Sequence, residues 1–171
     1  MLWKRVFSFI SPVGLMALAL ALACSSAKDS SKFAATAAQG GMMEVELGRL
    51  ALQHAGDPAV RAFGQKMVTD HTAANAELKG VAARKSLTLP GELSSDQKST
   101  IDKLSKLSGA EFDKEYMSDM VKDHETDVKE FQTQANEGTD TDIKSFAGKT
   151  LPILQEHLQM ARDTAKKVGA Q

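Results

Sequence analysis

Residues 57–84, DPAVRAFGQKMVTDHTAANAELKGVAAR, decide the fold. Asp57 followed by Pro58 is a typical helix start, because aspartate caps free backbone N–H groups and proline fits the first helical turn. Apolar residues then recur at steps of three and four, which predicts an amphipathic α-helix that ends near Arg84. A histidine interrupts the otherwise apolar face, which consists of Val60, Phe63, Met67, His71, Ala74 and Leu78.

Three more long segments and one short segment show helical spacing. The long helices are predicted over residues 32–55, from a Ser108–Glu111 capping box to about residue 136, and over residues 141–168. A short helix is expected over residues 95–107, between the second and third long helices. Pro152 predicts a kink near residues 149–151 of the last helix.

Four amphipathic helices of this length predict an all-α protein with the architecture of a four-helix bundle. Short turns make the first two long helices antiparallel to each other, and likewise the last two. The connection over residues 85–108 can run along the bundle or cap one end, and the sequence leaves both arrangements open.

Composition excludes several classes of function. The 171 residues include 21 Lys and Arg against 22 Asp and Glu, so the formal net charge is −1 and a nucleic-acid partner is not expected. A single cysteine excludes an internal disulfide framework and a cysteine-based zinc or iron–sulfur site. Phosphate-binding glycine loops and HExxH or GxSxG motifs do not occur in the sequence.

The N-terminal residues have the features of an export signal. Residues 1–23 combine a basic start, an apolar stretch and small residues at the end, which are the features of a secretory signal peptide. Cys24 follows immediately and resembles the lipidated cysteine of a bacterial lipoprotein, although ordinary cleavage after Ala23 is the alternative. A lipid on Cys24 would attach the protein to a membrane, with the outer membrane favoured and the chain facing the periplasm. Residues 24–31 are then expected to form a flexible tether, and residues 32–168 the bundle.

Three histidines and one glutamate lie on the inner faces of the long helices. Glu44, His71, His124 and His157 each fall near the middle of a helix, so they should meet at similar depth whichever way the helices run. Neutral imidazoles and a carboxylate are suitable ligands for Zn, Mn, Fe or Cu. We therefore predict these four residues as metal ligands, and a purely structural polar cluster is the equally weighted alternative.

A five-residue repeat supports equivalent roles for two of these histidines. Met67–His71 (MVTDH) recurs as Met120–His124 (MVKDH). Methionines next to histidines, including Met160 near His157, would suit cuprous copper. Methionine is also a common filler of helical cores, and this second interpretation is favoured.

Other polar residues near the histidines are expected to have ordinary roles. Asp70, Asp123 and Glu156 each precede a histidine, and they are expected to face solvent in preference to orienting an imidazole of a neighbouring helix. His54 lies near the end of its helix and is predicted to interact with the helix C-terminus instead of binding metal.

A set of motifs extends over most of the chain: Phe33–Ala35, Glu44, Phe63–His71, Asn75, Phe112–Tyr116, His124, Leu151-Pro152 and His157-Leu158. In these motifs the chain resembles the exported bacterial domain-of-unknown-function family 4142 of the ferritin-like superfamily. This resemblance implies a ferritin-like bundle in the cell envelope and no established reaction. Val68 and Val121 stand where di-iron proteins of the ferritin-like class carry glutamates, which argues against di-iron oxygen chemistry.

The leading functional hypothesis is an envelope-anchored bundle that binds a transition metal, linked to metal handling or oxidative stress. The alternative is a non-enzymatic envelope interaction or stress protein whose interior cluster is structural. A metalloenzyme acting on peroxide or superoxide is a weaker third option, because it needs an open coordination position. The sequence leaves open whether the protein is an enzyme, whether it forms a homo-oligomer, and which protein partners it has.

Overall fold

The computed structural model describes residues 12–170, with side chains from Asp29 onward. It confirms an all-α, ferritin-like four-helix bundle with one short extra helix, and no β-strand occurs among the described residues. Within the same residues no helix has the combination of length and hydropathy needed to span a bilayer. The helices are α1 (Pro12–His54), α2 (Pro58–Arg84), α3 (Ser95–Leu104), α4 (Gly109–Glu137) and α5 (Thr141–Val168).

The first helix starts earlier than the sequence analysis predicted. α1 runs from Pro12, whereas helix was predicted only from residue 32, and its backbone is helical through residues 24–31. This differs from the predicted flexible tether, and the physical reason is that no glycine or proline breaks the chain between Cys24 and Gln39. The signal peptide and the lipidation of Cys24 lie outside the residues whose side chains are described, and they stay predictions.

The long connection runs along the bundle. α1 packs mainly against α2 and α4 against α5, while α1–α4 and α2–α5 contacts join these two hairpins. The start of α4 lies beside the end of α1, where Ala55 pairs with Gly109. The Asp113 carboxylate of α4 also accepts hydrogen bonds from the backbone N–H groups of Gly56, at 3.0 Å, and Asp57, at 2.8 Å. Residues 85–108 therefore return to the end of the bundle where α2 began, so α2 and α4 run parallel.

Of the helix caps predicted from the sequence, the one at Asp57 is confirmed and the one at Ser108 is wrong. Asp57 accepts a hydrogen bond from the Ala59 N–H at 2.7 Å, as its position before Pro58 predicted. The predicted capping box at Ser108 is wrong, because the Ser108 side chain makes no capping hydrogen bond. Gly109 has a φ of +59° and pairs with Ala55, so this bridge sets the backbone that enters α4. A capping box does form at Ser94, before α3.

α5 continues as a helix through Pro152. Proline has no N–H group, so it cannot donate to the carbonyl one turn earlier. Just before it, the Thr150 hydroxyl donates to the Phe146 carbonyl at 2.9 Å. The kink that Pro152 predicted stays a prediction.

A tight contact between α1 and α2 fixes their spacing. A Cβ atom on Gly48 would lie 2.6 Å from the Gly64 carbonyl oxygen, and a Cβ on Gly64 would lie 2.6 Å from the Ala51 Cβ. Both distances are far below van der Waals contact, so the two helices approach each other backbone to backbone here. This contact lies one turn from Glu44 and holds that residue close to α2.

The interior has two apolar cores with a polar layer between them. Phe63, Met67 and Tyr116 belong to the core near the α1–α2 turn, and Leu78, Phe131 and Phe146 belong to the core at the opposite end. The residues that separate the two cores along the long helices are Glu44, His71, His124 and His157, all of them buried.

Candidate metal centre

Three histidines from three helices meet in the polar layer. One ring nitrogen from each of His71, His124 and His157 lies within 4.8 Å of the others. The ring centroids are 5.2 Å apart for His71 and His157, 5.5 Å for His124 and His157, and 5.8 Å for His71 and His124. We call these residues the three-histidine group.

Each ring of the three-histidine group uses one nitrogen as a hydrogen-bond donor. His71 Nδ1 donates to Glu44 Oε2 at 2.7 Å, and His157 Nε2 donates to Asp70 Oδ2 at 2.8 Å. His124 Nδ1 donates to the Met120 carbonyl oxygen at 3.0 Å. An acceptor on one nitrogen places the proton there and leaves the lone pair on the other, which is the arrangement found around metal-binding histidines.

The second nitrogen of each ring has no hydrogen-bond partner. These atoms are His71 Nε2, His124 Nε2 and His157 Nδ1, and all three are buried. An unpartnered buried polar atom costs about 1–3 kcal/mol. Three such nitrogens in one cluster of rings are lone-pair ligands that a single cation could satisfy together.

Glu44 lies beside the three-histidine group and belongs to a second set of possible metal ligands. Its Oε1 atom has no hydrogen-bond partner and lies 3.3 Å from His124 Nε2. One ligand atom from each of Glu44, Asp123 and His124 lies within 4.8 Å of the others, and we call this set the outer group. The four predicted ligands are thus brought together, with the glutamate oriented toward His71 and His124.

At neutral pH the Glu44 carboxylate is ionised and accepts a hydrogen bond from His71. Burial raises the pKa of Glu44, but the charge and hydrogen bond of His71, with smaller contributions from His124 and His157, outweigh burial and lower the pKa to about 2. Burial lowers the pKa of His71, but Glu44 outweighs it and holds that pKa above its ordinary value.

The other two histidines are neutral at the same pH. Burial lowers the pKa of His157 to about 4, in spite of the opposing hydrogen bond to Asp70. Burial also holds the pKa of His124 below its ordinary value, against the attraction of Glu44. Both rings consequently offer a free lone pair without a proton to remove.

Asp70 has a structural role that the sequence analysis did not favour. The residue was expected to face solvent, yet its carboxylate orients the His157 ring of the neighbouring helix. Lys66 lies 3.0 Å from Asp70 Oδ2 and 3.3 Å from Glu156 Oε1, so it steadies the carboxylate that holds the histidine. Glu156 itself is largely exposed, as predicted. Lys66 was missed, and its spacing of four residues before Asp70 was the available signal.

Asp123 was also expected to face solvent, but it is partly buried. Burial, together with the nearby charge of Glu44, raises the pKa of Asp123 to about 7. Asp127, one turn further along α4, has its pKa raised by burial and by the same Glu44 and Asp123 charges. Neighbouring carboxyl groups with raised pKa values mark this part of α4 as a candidate functional site.

The remaining candidates lie apart from the cluster. His54 ends α1, where its Nδ1 atom lies 2.9 Å from the Leu107 carbonyl oxygen and its ring stacks on Phe112. Met67 and Met120 are fully buried in an apolar core, as expected of methionines that fill space. Met160 packs against the same core from a partly buried position.

The sequence matches a family of proteins across most of its length. The matching family is described as Domain of unknown function (DUF4142), and the match covers residues 16–164. The chain belongs to the DUF4142 family. Its description assigns no activity, and no protein of curated function is significantly similar to the chain.

The fold has a counterpart among solved structures. It is similar to the crystal structure of a Streptomyces coelicolor protein described as secreted and as DUF305, with a TM-score of 0.71 and 15% sequence identity. The similarity covers 84% of this chain and 94% of that chain. At this identity the likeness supports the ferritin-like helical fold of the DUF4142 chain and nothing about its chemistry.

Proposed function

We propose that this protein binds one transition-metal ion in its interior, through His71 Nε2, His124 Nε2 and His157 Nδ1. The observation that carries the proposal is that each of the three rings has one buried nitrogen without a hydrogen-bond partner, in a cluster where one ring nitrogen of each histidine lies within 4.8 Å of the others. Glu44 positions His71 and supplies a negative charge that stabilises the bound cation. Asp70 positions His157 in the same way.

The ligand set narrows the choice of metal. Imidazole nitrogens suit Zn, Cu, Fe and Ni, whereas Mg and Ca prefer oxygen ligands. Three histidines leave a fourth position for Glu44 Oε1 or a water molecule. Of the metals that the sequence suggested, Zn, Fe and Cu suit the imidazole nitrogens, and Mn suits the Glu44 carboxylate. Metal handling or protection from oxidative stress is the proposed role.

The proposed location is the bacterial cell envelope. The sequence supports this through the predicted signal peptide and Cys24, and the structurally similar Streptomyces coelicolor protein is described as secreted. We propose that a lipid on Cys24 holds the bundle at the membrane on the periplasmic side, with the outer membrane favoured.

A structural polar cluster is the competing explanation. It is supported by the hydrogen bonds from His71 to Glu44 and from His157 to Asp70, which would hold the helices together without metal. It gives no account of three buried nitrogens left without a partner, and this difference makes metal binding the stronger proposal.

Metal content distinguishes the two functions. The protein, purified without a polyhistidine tag, should contain about one equivalent of a single metal by elemental mass spectrometry, the number expected for one three-imidazole site. His71→Ala and His124→Ala should each lose it, while the matched variant His54→Ala keeps it. Equal metal content in all of these variants, or wild-type protein that takes up no Zn, Mn, Fe or Cu, would favour the structural cluster.

A further inference from the structure

A surface pocket on the α1–α4 face leads toward the interior cluster. It has a volume of about 310 Å³ and is lined by α4 residues, with Met43 of α1 and Thr100 of α3 on its other walls. Two aspartates, Asp119 and Asp123, lie on its α4 wall. We call this cavity the α4 pocket.

Asp123 belongs both to the α4 pocket and to the outer group. It lines the pocket, and one of its carboxylate oxygens lies within 4.8 Å of ligand atoms of Glu44 and His124. Glu44 Oε1 and His124 Nε2 are buried and have no hydrogen-bond partners. Through Asp123, the wall of the pocket therefore adjoins a carboxylate oxygen of Glu44 and a ring nitrogen of His124 that both lack hydrogen-bond partners.

Both groups of ligands include His124. His124 Nδ1 is occupied by the Met120 carbonyl, so His124 Nε2 is the only nitrogen of that ring with a free lone pair. One lone pair binds one metal ion. An ion held by Glu44, Asp123 and His124 and an ion held by the three-histidine group are consequently alternatives that exclude each other.

We propose that the outer group is an entry position for the metal, occupied before the ion passes to the three-histidine group. This inference rests on the proposed function. A cation arriving from the α4 pocket meets Asp123 first, then the free oxygen of Glu44 and then His124 Nε2. It reaches the inner position by exchanging the two carboxylates for His71 Nε2 and His157 Nδ1 while His124 stays bound.

The charges around the bundle favour this direction of entry. Asp119 and Asp123 line the α4 pocket together with a single cation, Lys122. The partly buried Asp127 adds a further carboxyl group near Glu44. The opposite face, between α2 and α5, carries Lys66 beside Asp70. The carboxylate on that side is already engaged, because Asp70 Oδ2 contacts both the Lys66 ammonium group and His157 Nε2.

The rate of cobalt uptake tests the entry position. Co²⁺ is the probe, since its visible absorption changes when it binds imidazole and carboxylate ligands. Asp123→Asn should still bind one equivalent of Co²⁺ at equilibrium but take it up about tenfold more slowly in stopped-flow experiments. Asp163→Asn, which removes the same charge from an exposed position of α5, should load at the wild-type rate.

A second pair of variants isolates the outer group. His157→Ala removes the inner position and leaves Glu44, Asp123 and His124 intact, so weak Co²⁺ binding should persist at high cobalt concentration. Adding Asp123→Asn to this variant should abolish the residual binding. Asp123→Glu in the otherwise unchanged protein keeps a carboxylate in place and should restore part of the loading rate.

The outcomes separate this inference from the proposed function. Wild-type protein that binds no Co²⁺ would overturn both. Wild-type binding combined with an unchanged loading rate in Asp123→Asn would overturn the entry position alone. Loss of equilibrium binding in folded Asp123→Asn, checked by circular dichroism, would also contradict it, because Asp123 would then belong to the resident site.

Discussion

His157 on α5 is held by a carboxylate of another helix: its Nε2 atom donates a hydrogen bond to Asp70 Oδ2 on α2 at 2.8 Å. This bond crosses the interface that joins the two hairpins of the bundle. It places the proton of the ring on Nε2, so the lone pair of His157 lies on Nδ1. A contact between two helices thereby determines which nitrogen is available to a metal.

Replacing Asp70 tests this positioning role. Asp70→Asn keeps the size of the side chain but removes the charge that orients His157, and metal affinity should fall by about 10–100-fold. Glu156→Gln is the matched control, because Glu156 also contacts Lys66 but does not reach a histidine. Competition with a chromophoric chelator measures both affinities. Equal affinity in the two variants would contradict the role of Asp70.

Removing the metal should destabilise the fold. An ion that binds only the folded chain stabilises it by about 2.7 kcal/mol when its free concentration is 100 times Kd. Treatment with a chelator should therefore lower the Tm of the wild-type protein by several degrees, about 2–4 °C per kcal/mol. His124→Ala should show no metal-dependent change in Tm by differential scanning calorimetry. A wild-type Tm that changes neither with chelator nor with added metal would favour the structural cluster.

The metal-free protein should lose stability in mild acid. The pKa of His157 is about 4 in the folded chain and about 6.5 when unfolded, so the unfolded state binds more protons between these values. The contribution of neutral, buried His157 to the free energy of unfolding is present above pH 6.5 and is lost as the pH falls toward 4. The lowered pKa of His124 also reduces stability as the pH falls. The raised pKa of His71 has the opposite effect on stability.

Urea unfolding at pH 7 and pH 5 measures this effect. The contribution of His157 to the free energy of unfolding should decrease by about 2 kcal/mol between these two pH values. His157→Gln removes the titrating group, so the variant should lose less stability over the same interval. An identical pH dependence in wild type and variant would show that His157 does not titrate as its burial implies.

Because α1 and α2 are in close contact, we expect alanine substitutions at two glycines of α1 to have opposite effects on stability. Gly48→Ala places a methyl group 2.6 Å from the Gly64 carbonyl oxygen and should cost about 1–3 kcal/mol of unfolding free energy. Gly40→Ala has nothing within 4 Å of its new methyl group and should stabilise α1 by up to about 1 kcal/mol. Chemical denaturation compares the two variants, and equal effects would contradict the tight packing.

Much of the candidate site could be predicted from the sequence because helical periodicity fixes which residues share a face. The repeated Met-Val-x-Asp-His motif placed His71 and His124 at equivalent depths, and both lie in the polar layer between the apolar cores. Glu44 and His157 continued the same pattern on their own helices. Periodicity along one helix was enough for these four positions.

The contacts between helices could not be predicted in the same way. The role of Asp70 depends on α5 being the neighbour of α2, and the sequence left the path of residues 85–108 open. The position of Asp123 beside Glu44 likewise depends on α1 packing against α4. The expected capping box at Ser108 failed for a similar reason, because a tertiary bridge to Ala55 sets the backbone there.

Anomalous diffraction from crystals of the metal-loaded protein tests the central claim most directly. We predict one strong peak between the three rings, at about 2.0–2.1 Å from His71 Nε2, His124 Nε2 and His157 Nδ1 if the ion is zinc. Data from His124→Ala crystals should lack this peak. A loaded protein whose anomalous signal lies only at surface carboxylates, with no ion between the three imidazoles, would contradict the account.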